Sequence, residues 1–125
     1  VAPHWIDVSG KENPLADQFR SQVESLKALA ALARLLDVAK GHSGQSRRVA
    51  DFLLAWHNAE ENGGWNPVDL WQVDSSIAQD VLLVLLLISD EHKYPDDLGF
   101  APEMEMVWNL WRGNKKGQIS SLVEG

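Results

Sequence analysis

The sequence predicts an all-α fold: an irregular four-helix bundle with a central, fully buried third helix and a short helical turn between helices 2 and 3. Three observations carry that expectation. Apolar residues recur at three- and four-residue steps in separate stretches, opened by capping residues or proline and closed by glycine or proline. The one segment that reads equally well as a buried strand, Val81 to Ile88, has no second β-branched run to pair with. The connections between the periodic stretches are short, as in a bundle of neighbouring helices.

Residues 1–12 mix Pro3 and Gly10 with isolated apolar residues and read as an entry arm, docked by Trp5 and Ile6. Asn13-Pro14 opens helix 1, because proline at the first helical position forfeits no hydrogen bond. Leu15, Phe19, Val23, Leu26, Leu29, Ala33 and Leu36 then form an apolar stripe, expected to face the core, and Gly41 stops the helix near residue 40. Helix 2 starts near Ser46, buries Val49, Phe52, Leu53, Trp56 and Ala59, and ends at Asn62-Gly63-Gly64. Trp65 to Val73 is short and punctuated by Asn66-Pro67, which suits one helical turn acting as an aromatic plug. Asp74 caps helix 3, which is apolar on every side from Val81 to Ile88 and therefore calls for neighbours all round. Tyr94-Pro95 ends it, and Asp96, Asp97 and Gly99 form a loop. Ala101-Pro102 opens helix 4, with Met104, Val107, Trp108 and Trp111 facing inward and Gly113 as the stop. The tail, 114–125, is polar enough to fray.

With 125 residues, 45% of them hydrophobic, one domain spanning 1–125 is expected. The chain has no cysteine, which excludes disulfides, thiolate metal sites and a cysteine nucleophile, and agrees with a cytoplasmic setting. The eight apolar residues of Val81 to Ile88 fall well short of the roughly 20 of a membrane span, so no membrane association is expected. Asp7, Lys11 and Glu12 interrupt the region where a secretory leader needs a continuous apolar stretch.

The formal charge of −7 is unevenly distributed: residues 1–48 carry +2, residues 49–111 carry −11 with Lys93 as the lone basic side chain, and residues 112–125 carry +2. Such a middle block repels nucleic acid, so direct nucleic-acid binding is not expected. It serves solubility on one reading, a basic protein partner on a second, and imitation of a phosphate backbone on a third.

Catalytic spacings are missing. There is no Gly-x-Ser-x-Gly turn, and Gly41-His42-Ser43-Gly44 lacks the lysine and spacing of a phosphate loop. His57 and Glu61 share a helix face, and Asp90, Glu91, His92 and Asp96 cluster in sequence, but neither a paired Glu-x-x-His nor His-Glu-x-x-His is present. A metal enzyme using His57, Glu61 and His92 is accordingly the last-ranked reading, and no catalytic residue, cofactor or metal ligand is assigned. Six tryptophans are the odd component. Trp56, Trp108 and Trp111 fit packing stripes with their N–H groups on backbone carbonyls, while Trp5, Trp65 and Trp71 sit in irregular segments, as plugs or as interface anchors. The candidate partner-binding set is Trp65, Trp71, Glu60, Glu61, Asp69, Asp96 and Asp97, toward a protein partner of basic character, with a homodimer also open.

The block Ala50-Asp51-Phe52-Leu53-Leu54-Ala55-Trp56-His57-Asn58-Ala59, followed by Gly63-Gly64, Asp69-Leu70-Trp71, Val73-Asp74, Ile77-Ala78, Asp80 and Tyr94-Pro95, resembles a family of short proteobacterial proteins of unknown function found on plasmids, integrated elements and prophages. The likeness spans about residues 48–112. It implies a bacterial, cytoplasmic setting and an accessory role on mobile DNA, and it transfers no functional residue.

Overall fold

The structure, a computed structural model, describes residues 14–113. Four α-helices occupy most of that span: α1 (Pro14–Ala39), α2 (Gly44–Asn62), α3 (Ser75–Glu91) and α4 (Ala101–Trp108). Tight 3₁₀ turns at Pro67–Gln72 and Pro95–Leu98 join them, and α4 runs on into a wider π turn at Asn109–Gly113. No strand occurs among the described residues. The entry arm with Trp5 and Ile6, and the tail 114–125, lie outside them.

Local chemistry sets the ends of these elements. Ser43 is extended, and its hydroxyl accepts the N–H of Ser46 at 3.0 Å, which starts α2 earlier than Ser46 itself. The chain approaches that cap closely: a Cβ on Gly41 would lie 2.6 Å from Ser46 Oγ. Gly63, at φ 95° and ψ 163°, closes α2 in a region that only glycine occupies without strain. Asp74 precedes α3, yet its carboxylate accepts from the Gln45 side chain at 3.3 Å and makes no capping bond. α3 ends at Glu91, three residues before the expected Tyr94-Pro95 stop, because His92 adopts the left-handed conformation and donates its N–H to Ile88 O. Residues 95–98, expected as loop, form a helical turn closed by the Tyr94 N–H on Asp97 Oδ2 at 3.1 Å.

The packing departs from the expected plan in two ways. First, the hub is α1, which packs against α2, α3 and α4, whereas α3 packs extensively only against α1. The fully buried side chains are Leu32, Leu35 and Leu36 of α1, Val49, Leu53 and Leu54 of α2, Val84 of α3, and Met104 and Val107 of α4. Each such aliphatic side chain contributes roughly 1.5–3 kcal/mol by leaving water. α3 is not fully buried: Val81, Val84 and Leu87 face inward, but Leu82 is 52% and Leu86 60% exposed. The physical reason is a shortage of cover, since α2 and α4 are spent on α1 and on each other.

Second, the apolar stripe assigned to the core face of helix 1 is on the wrong side. The buried set is Ala28, Ala31, Leu32, Leu35, Leu36 and Ala39, while Leu15, Phe19 and Leu26 are 76%, 68% and 67% exposed. Only Leu36 belongs to both sets. At 3.6 residues per turn the two stripes are centred about 150° apart around the helix. α1 and α3 run antiparallel, with the Arg34 guanidinium gripping the Asp80 carboxylate through two 2.9 Å bonds at one end. At the other end Arg20 and Glu24 face Asp90 and Glu91 across a gap of about 480 Å³.

Candidate functional site

Part of the charge segregation seen in the sequence is consumed inside the fold. Arg34 holds Asp80, Arg47 and Arg112 both reach Asp51, at 3.5 and 3.0 Å, and Arg48 lies 3.8 Å from Asp69. All four arginines come from outside the acidic middle block. The Asp80 carboxylate, by its hydrogen bonds first and its charge second, pushes the Arg34 pKa above its ordinary value against a small desolvation effect. Glu60, Glu61, Asp90 and Glu105 make no ion pair among the described residues.

Two of those four carboxylates border a groove of about 340 Å³ between the end of α2, the 95–98 turn and α4. Its shape depends on an interruption in α2. Asn58 leaves the helix for an extended conformation (φ −167°, ψ 92°), and its Oδ1 accepts the N–H of Glu61 at 3.2 Å, so it restarts the helix as a cap. The buried Asn62 donates Nδ2 to Leu54 O at 3.1 Å, one turn before the break. Asn62 Oδ1 accepts from Trp108 Nε1 at 3.0 Å, and its carbonyl accepts from Arg112 Nε at 3.2 Å. One asparagine thus ties the kinked helix to α4 and to the turn that follows it.

The same side chains make the walls. His57 Nδ1 is 2.9 Å from Asp96 Oδ1, which fastens the 95–98 turn to α2, and Trp56 Nε1 donates to Lys93 O at 3.1 Å just before it. Glu61, Asp96 and Glu105 line the opening, with Met104, Ala101 and Trp108 as apolar lining. No lysine or arginine lines it. Three carboxylates beside a thioether and an indole suit a cationic head on an aliphatic stem: the stem packs on the apolar groups and the head meets the carboxylates. Metal binding is a different matter. Among the described residues no group of three or more His, Asp or Glu side chains is arranged to hold an ion. His57 takes Asp96 as its partner, and the expected grouping of His57, Glu61 and His92 is not formed.

The sequence-derived candidates divide between two places. Glu61 and Asp96 meet at the groove. Asp97 sits beside it but spends its carboxylate on the Tyr94 N–H, and Glu60 is exposed at the end of α2. Trp65, Trp71 and Asp69 lie along the chain around the 67–72 turn: Trp65 is half-buried, edge-on to Phe52 with ring centroids 5.0 Å apart, Asp69 faces Arg48, and Trp71 stands 83% exposed. Trp65 therefore packs as a plug, whereas Trp71 is open to solvent. Trp56 and Trp111 donate to backbone carbonyls, of Lys93 and Ala39, as expected, whereas Trp108 uses a side-chain amide. Sequence reasoning missed Glu105, and it read Met104 and Trp108 as core and Asn62 as part of a helix stop. Only an asparagine in mid-helix, Asn58, hinted at the kink that gathers them.

Among the described residues no helix is long and apolar enough to cross a membrane. No curated protein and no solved structure matches the chain. Residues 29–112, which contain the groove, the kink and all but the first half of α1, match a family described as a family of unknown function, DUF7673. That match covers more than half of the chain, and the protein belongs to the DUF7673 family.

Proposed function

We propose that this protein is a non-catalytic binding module that receives a basic side chain of a protein partner in the groove between α2, the 95–98 turn and α4. The single observation that carries the reading is the composition of that groove, with Glu61, Asp96 and Glu105 beside Met104 and Trp108 and no lysine or arginine among them. The volume, about 340 Å³, is at the small end of ligand sites, which suits one long side chain of a larger partner. Trp71, away from the groove in sequence and almost fully exposed, offers an aromatic anchor of the kind that dominates protein interfaces. The resemblance to proteins carried on plasmids and prophages supports an accessory or regulatory role for a bacterial mobile element, in the cytoplasm. Imitation of a nucleic acid is less well supported, because Asp51, Asp69 and Asp80 face arginines of the same chain instead of solvent.

A nine-residue oligoarginine peptide tests this reading by titration, followed through tryptophan emission. Saturable binding that weakens at least tenfold in Glu61→Gln/Glu105→Gln and falls with added salt is expected. Binding of equal strength in that double variant would overturn the assignment.

A further inference from the structure

We infer that the outward stripe of α1 is a self-association face whose occupant is the same stripe of a second copy of this chain. Positions 15, 19, 22, 26, 29 and 33 alternate steps of four and three, the spacing of a coiled-coil seam, and every one except Gln22 is apolar. Leu15, Phe19 and Leu26 are each more than two-thirds exposed, Ala30 and Ala33 are exposed beside them, and Val23 and Leu29 are half-buried at the margins. The seam covers about 27 Å of helix at 1.5 Å per residue.

Three physical features choose a second copy as the partner. The stripe is self-complementary, since a four-three pattern packs onto its own two-fold image, knobs into holes. Charge points the same way: the chain carries −7, so two copies repel at most surfaces, but α1 holds three acidic and three basic residues and is neutral. Its Asp17–Arg20 and Glu24–Lys27 pairs lie well around the helix from the stripe, so contact along the stripe buries no charged group. The third feature is length. α3 reaches only as far as Arg20, where Glu91 borders the gap between the helices, so no other helix of the described residues flanks the first turns of α1. Helices of that sort gain most of their stability from packing, and a second seam supplies it. The inference is independent of the groove, which lies on α2 and α4.

Light scattering after size exclusion, on the full chain at 1–100 µM, decides it. A particle of twice the 13.9 kDa chain mass is expected at the upper concentrations. Phe19→Glu and Leu26→Glu weaken association at least tenfold with unchanged helix content by circular dichroism, whereas Leu86→Glu on α3 and Glu61→Gln/Glu105→Gln leave it intact. The chain has no cysteine, so Gln22→Cys reports the seam directly by forming a disulfide-linked dimer under mild oxidation. A wild-type chain that stays monomeric at 100 µM overturns the inference, whatever covers the stripe instead. So does a dimer that survives both stripe variants or that Leu86→Glu breaks equally well.

Discussion

The two halves of α1 share their secondary structure but not their fate. From Ala28 to Ala39 the helix is held by α2, α3 and α4, and Leu32 and Leu35 lose all their exposure. From Pro14 to Lys27 only the stretch from Arg20 on lies along the end of α3, and Leu15, Phe19 and Leu26 are exposed. Burial in this fold is thus decided by which neighbours are present at each turn, and periodicity alone does not specify it. A helix with two apolar stripes presents two answers to the same question.

Mutating each half makes the contrast quantitative. Leu35→Ala removes a fully buried side chain from the supported half and is expected to cost about 2–5 kcal/mol in urea denaturation. Leu26→Ala, the same chemical change in the other half, is expected to stay within about 0.5 kcal/mol at sub-micromolar concentration, where association does not contribute. Equal losses would abolish the distinction.

The support itself is tested at Asn62. Asn62→Leu removes the Leu54 O and Trp108 Nε1 contacts that the amide makes and is expected to cost about 1–3 kcal/mol. The same change is expected to reduce oligoarginine binding by distorting the groove, and a variant as stable as the wild type would show that the asparagine only fills space. The smallest effect is expected where support is thinnest, at the end of α3. His92→Gly relieves a left-handed backbone (φ 52°) and is expected to raise stability by a few tenths of a kcal/mol, read as a higher urea midpoint.

Much of the fold was legible because its boundaries are written in local chemistry. Asn13-Pro14, Asn62-Gly63, Asn66-Pro67 and Ala101-Pro102 mark element ends within a residue or two of where they occur. The facing of α1 and the identity of the hub were not legible. Val81 to Ile88 is the most apolar stretch, and intrinsic apolarity points to the centre; but centrality depends on how many neighbours a helix has, and α1, the longest helix, touches the most. The groove was half legible. Glu61 and Asp96 stood out as acidic residues near helix ends, whereas Glu105 joined them only through the restart at Asn58 and the fastening of His57 to Asp96, contacts between segments far apart in the chain.

The arginine pairings have a consequence for synthesis. Lys93 is the only basic residue between Val49 and Trp111, so that stretch cannot neutralise itself. Arg34 must wait for Asp80, 46 positions later, and Asp51 receives Arg112 only when the last described turn has been made. A nascent chain emerging from the ribosome therefore gathers negative charge from Asp51 to Glu105 before Arg112 arrives to close a loop of 61 positions onto Asp51. With its arginine partners on the two flanks, the acidic stretch is paired only where segments distant along the chain have met.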